Sequence, residues 1–200
     1  MSKSNLGLFL ANCFGMKSRA RELKSGGALL TTYIGKAVKK FLAATSRRFT
    51  VQLQKRTFGQ LGKAGEYAWL DLELKKCLHS FRVRTSQKIE IVLLNPAIFV
   101  ESDNYCFSPG EAVKIMAKLN LRPATLCEVM QLCARRKSLG GGIIAILGTK
   151  KQSASKKSFE DQVPILDESS GKRKLGLYSK HGGWLSPPFP PRTLFAAVWK

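Results

Sequence analysis

Two histidines, His79 and His181, stand in the 200 residues, so proton transfer near neutral pH has few carriers. Cys77 and His79 are two apart, a spacing that alternates along an extended segment and splays on a helix. A thiol–imidazole dyad instead needs hydrogen-bond reach in the fold. His181, within Lys180-His181-Gly182-Gly183-Trp184, is a loop residue that either lines a site or faces water. The five cysteines, Cys13, Cys77, Cys106, Cys127 and Cys133, are odd in number and include no C-x-x-C. That argues against a zinc site and against a disulfide framework. Gly140-Gly141-Gly142 precedes a strand, whereas a phosphate-cradling loop follows one and opens a helix. No paired carboxylates and no metal-ligand spacing stand out, so no catalytic residue, metal or cofactor is expected.

Binding chemistry is better represented. Between residues 150 and 192, aromatic side chains are interleaved with cations. Candidate ligand-binding residues are Lys150, Lys151, Lys172, Arg173, Lys174, Tyr178, His181, Trp184, Phe189 and Arg192. Aromatic rings supply contact area at low entropic cost and cations attract phosphate or carboxylate. The mixture suits nucleic acid or an acidic protein surface. The competing reading places Trp184 and Phe189 in the core and leaves the lysines solvated.

The formal net charge is +21, which draws polyanions over long range. The excess sits at both ends: residues 1–48 and 137–200 are strongly basic, while 101–136 is nearly balanced. No run of apolar residues is long enough to span a bilayer. The short apolar run Leu6–Phe14 lacks a good cleavage site, so a secretory signal is not expected. Reduced thiols and a cytoplasmic location follow as the simpler expectation.

These residues need elements to position them. Residues 1–48 read as a basic amphipathic helical segment. In Ala28–Ala44 the residues Leu30, Tyr33, Ile34, Ala37, Val38 and Phe41 form one apolar stripe. Such a helix packs on its own domain, lies on an anionic membrane or fills a partner's groove. Residues 49–200 read as one α+β domain. Strands are expected at Phe49–Leu53, Lys88–Leu94, Ile143–Leu147, Val163–Leu166, Lys174–Tyr178 and Thr193–Trp199. The last is apolar on both faces, as a strand covered on both sides would be. A short helix is expected over Thr57–Gly65. Ser108 with Glu111, and Thr125 with Glu128, have the spacing of capping boxes opening two further helices. Val113, Met116 and Leu119 would form the buried face of the first, with Asn120 ending it. Leu126, Val129, Met130 and Cys133 would face inward on the second.

Pro123, Thr125, Glu128, Ala134 and Arg135, within LRPATLCEVMQLCARR, resemble a stretch of the formylglycine-generating-enzyme-like (sulfatase-modifying-factor) branch of the C-type-lectin fold. Lys63–Leu70, Ile143–Gly148 and the terminal TLFAAVWK resemble segments of uncharacterised bacterial proteins. Those look like the variable proteins of diversity-generating retroelements. The resemblance covers roughly residues 49–200. It implies a small mixed sheet with two capped helices, and a binding surface of loops near the C-terminus. It does not carry over the enzymatic chemistry, because no cysteine follows Cys133. Nor does it carry a calcium site, since Glu160, Asp161, Asp167 and Glu168 are too few carboxylates. The first expectation is thus a non-enzymatic ligand-binding module. The alternative is a basic nucleic-acid-binding protein, and a third reading is a peripheral membrane protein.

Overall fold

The computed structural model describes residues 42, 46–71, 74, 87–95, 108–149, 162–179, 189 and 192–200. The chain divides into two units, Met1–Phe41 and Leu42–Lys200, and all described residues fall in the second. The amphipathic stretch Ala28–Ala44 lies outside them, apart from the helical, buried Leu42. No described helix is long and apolar enough to cross a membrane.

The second unit is α+β. Its strands are β1 (Arg47–Gln52), β2 (Trp69–Leu70), β3 (Lys88–Leu94), β4 (Leu121–Pro123), β5 (Ile143–Ala145), β6 (Gln162–Asp167), β7 (Lys174–Ser179) and β8 (Leu194–Trp199). Three helices are described: α1 (Phe58–Ala64), α2 (Pro109–Lys118) and α3 (Leu126–Cys133). The strands form one mixed sheet in the order β1-β3-β8-β5-β6-β7-β2, with β4 also on β8. The sheet is larger than the small one expected. β2 and β4, of two and three residues, are too short to carry a strand pattern.

The terminal strand is central. Its pairing with β3 uses one edge, and the other is shared by β5 at Leu194–Phe195 and β4 at Ala197–Trp199. Both faces of β8 are covered, as its apolar composition predicts. On one face Ile91 opposes Val198 and Leu93 opposes Ala196. On the same face Ile144 opposes Leu166, Leu166 opposes Leu175, and Leu175 opposes Leu70. That stripe belongs to the main core with Leu61 of α1 and Leu126, Val129, Met130 and Cys133 of α3. On the other face Val92, Leu94, Ala145, Phe195 and Ala197 are buried, and Phe189 meets Phe195 edge-on at 5.3 Å between ring centroids. In β3 the change from one-sided to two-sided cover is visible along the strand. Lys88 to Ile91 alternate, and Val92, Leu93 and Leu94 are all buried.

The helix starts obey local chemistry. Thr57 with Gln60, Ser108 with Glu111 and Thr125 with Glu128 each form a reciprocal capping box, satisfying two backbone donors apiece. Asn120, at φ 59°, stops the chain after α2. Met116 and Leu119 bury as expected, but Val113 is 37% exposed and Ala112 is buried in its place. Only the first position of the stripe differs, with Ala112 one helical turn before Met116 in place of Val113. Helix α3 is buried all round, Glu128 and Gln131 included, so an inward-facing stripe understates it.

Its polar residues are therefore spoken for. Gln131 exchanges two hydrogen bonds of 2.8 Å with the backbone of Gln54, imitating a strand partner. Glu128 accepts from the Thr125 N–H at 2.8 Å and from both terminal nitrogens of Arg122, at 3.0 and 2.6 Å. Thr149 accepts the Leu126 N–H at 3.0 Å. Thr125→Ala should cost about 1 kcal/mol of unfolding free energy, as lost caps do. Urea melts of the two proteins check this.

Candidate functional site

Arg173 stands in the run Lys172-Arg173-Lys174, which as sequence reads as three solvated cations. Alternation separates them: Leu175 and Leu177 of β7 pack on the main core, and Arg173, just ahead of the strand and two residues before Leu175, is buried as well. Its guanidinium is buried, with side-chain exposure of 6%. Nε donates to Glu168 at 2.8 Å. One terminal nitrogen donates to the carbonyls of Gly65 and Cys133, both at 2.9 Å, and the other to that of Arg136 at 2.7 Å. Gly65 closes α1 and Cys133 to Arg136 end α3, where carbonyls lack intrahelical partners. One guanidinium thus caps two helix ends, and its planar fork suits several fixed acceptors at once. Glu168 also accepts the Leu139 N–H at 2.8 Å. Arg173 is therefore an internal clamp, correcting its placement among surface ligand contacts.

Beside this clamp lie Tyr67 and Cys133. The Arg173 guanidinium carbon is 6.0 Å from the centroid of the Tyr67 ring, within cation–π range. The Tyr67 hydroxyl is buried without a well-formed hydrogen bond. Burial pushes the Tyr67 phenol well above its usual range, with the Cys133 thiol adding to the effect and Arg173 opposing it. Burial likewise pushes the Cys133 thiol up to about 11, again opposed by Arg173. Both groups are neutral and inert at neutral pH. Each folded-state value exceeds the unfolded one, so their contribution is fully present below the unfolded values and is lost as pH rises through the folded ones. The urea midpoint should fall between pH 9 and 11, and less steeply in Cys133→Ala, which lacks the titrating thiol.

The clamp has a consequence outside the core. It draws together the end of α1, the end of α3 and the β6–β7 hairpin, each of which carries exposed cations. Lys63, Arg136, Lys137, Lys172 and Lys174 are all exposed. Nearby carboxylates are largely engaged. Glu168 is held in the clamp, and Asp167 accepts from the backbone and hydroxyl of Ser169 at 2.8 and 2.6 Å. Glu66 is an exposed carboxylate in the same region.

Trp69 completes this end of the sheet. It is 53% exposed, on edge strand β2, with its Cα opposite that of Lys174. Backbone bonds from Ala68 N–H to the Arg173 carbonyl (2.8 Å) and from Asp71 N–H to the Leu175 carbonyl (3.0 Å) seat β2 on β7. Composition between residues 150 and 192 gives no hint of Trp69, which arrives by long-range pairing. The available signal was its place in Tyr67–Leu70, where one aromatic packs on the core and the next points out.

The other candidate residues separate. Phe189 is fully buried against Phe195, so it is a core residue and not part of a ligand surface. Its ring fills the second face of the sheet. Arg192 is exposed, ahead of β8. Tyr178 is on β7 opposite Val163, its side chain outside the described residues. Lys150, Lys151, His181 and Trp184 lie outside them altogether. Among the described residues no three His, Cys, Asp or Glu side chains group as metal ligands. Comparison with protein-family models, curated proteins and solved structures finds no match.

Proposed function

We propose that this chain is a non-enzymatic binding module for a polyanionic partner. Its recognition surface lies at the β2–β7 end of the sheet, with Trp69 and Lys174 on the face away from the main core and the basic ends of α1 and α3 toward the core side. One observation carries the reading: Arg173 gathers three basic segments around itself while Glu168 neutralises its own charge. The cations left outside concentrate positive potential at one end of the sheet, which raises the local concentration of an anionic ligand. The face is narrower than the loop surface of residues 150–192 expected from sequence, and it adds Trp69. A C-type-lectin-like scaffold remains our reading of the fold. Supporting it are the order of capped helix, short strands and terminal strand, and the central place of β8. A variable-protein relationship stays attached to that reading. A cytoplasmic setting agrees with the free, buried thiols of Cys127 and Cys133.

Retention on immobilised heparin tests the proposal. Arg136→Glu/Lys172→Glu/Lys174→Glu should elute at clearly lower salt than the parent protein, with an unchanged melting temperature. Elution at the same salt would remove the face from consideration.

A further inference from the structure

We infer that the polyanion is single-stranded nucleic acid, with one base stacked on the outer side of Trp69 and adjacent phosphates met by Lys174 and Lys172. The inference rests on the polyanion reading and adds to it the chemistry of the base.

The position of the indole is what points to a base. A Cβ built on Gly176 would stand 2.6 Å from Cζ3 of Trp69 and 3.2 Å from Cη2. The Cζ3 edge of the benzo ring therefore abuts the bare backbone of β7, at a strand position where no other side chain would let it approach. One edge of the ring is held against the strand, while the residue as a whole stays half exposed. A half-exposed ring whose edge is fixed against the strand is partly preorganised, so less conformational entropy is lost when a base stacks on its face. Every base offers a π face, so stacking of this kind tolerates sequence. In a duplex those faces are already stacked on one another, and single strands present them freely.

Charge around the ring fits a phosphate backbone. Lys174 is the register partner of Trp69, and Lys172 is exposed in the turn before β7. Asp167 is the cross-strand neighbour of Lys174 on its other side, but its carboxylate is turned to Ser169. A membrane surface is a poorer fit. Interfacial insertion needs a contiguous apolar face, and the register partner of Trp69 is the exposed Lys174 instead.

Fluorescence anisotropy with a labelled oligo-uridine, a self-complementary RNA duplex and labelled heparin distinguishes these terms. Trp69→Ala should weaken oligo-uridine binding roughly 5- to 100-fold, as loss of one stacked base does, and leave heparin within about twofold. Trp69→Phe should keep most of the affinity. Gly176→Ala, which displaces the ring without removing it, should weaken oligo-uridine alone. Lys172→Glu/Lys174→Glu should weaken both ligands. If Trp69→Ala leaves oligo-uridine binding unchanged while the lysine pair weakens both, the stacking inference is overturned and the polyanion reading survives. Duplex binding as tight as that of the single strand, and independent of Trp69, would overturn it equally. If no variant weakens either ligand, the polyanion reading itself is wrong.

Discussion

Replacing Arg173 with methionine should cost about 3–5 kcal/mol of unfolding free energy, the range for breaking a buried ion pair from one side. Three losses combine in that figure. The Glu168 carboxylate stays buried without its cation, and the carbonyls at the ends of α1 and α3 lose a charge-assisted donor. The two helix ends also lose the group that ties them to β7. Lysine is no substitute, because a single ammonium cannot span acceptors fixed on three segments. In Arg173→Met/Glu168→Leu the orphaned charge is gone, so part of the loss should return. The carbonyls remain unpaired, so recovery should be incomplete. Lys172→Ala, one residue away and exposed, should stay within about 0.5 kcal/mol of the parent. Urea denaturation of the four variants checks the set. A methionine variant as stable as Lys172→Ala would mean that the clamp contributes nothing.

The second large effect is expected at Phe189, where truncation to alanine should cost roughly 3–5 kcal/mol. The ring is fully buried and meets Phe195 of the central strand at an interplanar angle of 87°, the edge-to-face geometry that aromatic pairs favour. Removing it leaves a cavity against a strand held on both edges, so collapse around the gap is restricted. Phe189→Leu should recover about half of the loss, because much of the volume returns. If Phe189→Ala instead melted with the parent protein and lost ligand affinity, the aromatic would belong to the recognition face after all.

What the chain discloses about itself divides by distance. Capping boxes are legible because their partners are three residues apart and their geometry is set by the backbone between them. Ser108, Thr125 and the stop at Asn120 are all of that kind. The place of β8 is legible for another reason: six apolar residues in a row have no polar face to offer water, so a central strand is the natural accommodation. Arg173 was not legible. Its burial depends on acceptors as far as 108 positions away, and locally it is indistinguishable from Lys172 and Lys174. Only the alternation that buries Leu175 and Leu177 hints that Arg173 points inward with them. Phe189 was misread for a similar reason, since surrounding prolines suggest an exposed loop and say nothing about the ring's destination. Trp69 reaches the basic end of the sheet through a parallel pairing of two residues, too short to leave a pattern. The charge excess was plain from composition, and which of its exposed cations sit on the segments tied by Arg173 was not.

The central claim is that the cations gathered around Arg173 form a phosphate-binding face, and the salt dependence of binding tests it most directly. For a labelled single-stranded oligonucleotide, the logarithm of the binding constant should fall linearly with the logarithm of salt concentration. In Arg136→Glu/Lys172→Glu/Lys174→Glu the line should be shallower by about two, since each lost phosphate contact removes roughly 0.7 from the slope. A parallel line, with affinity unchanged at every salt concentration, would contradict the account and place the ligand elsewhere on the chain.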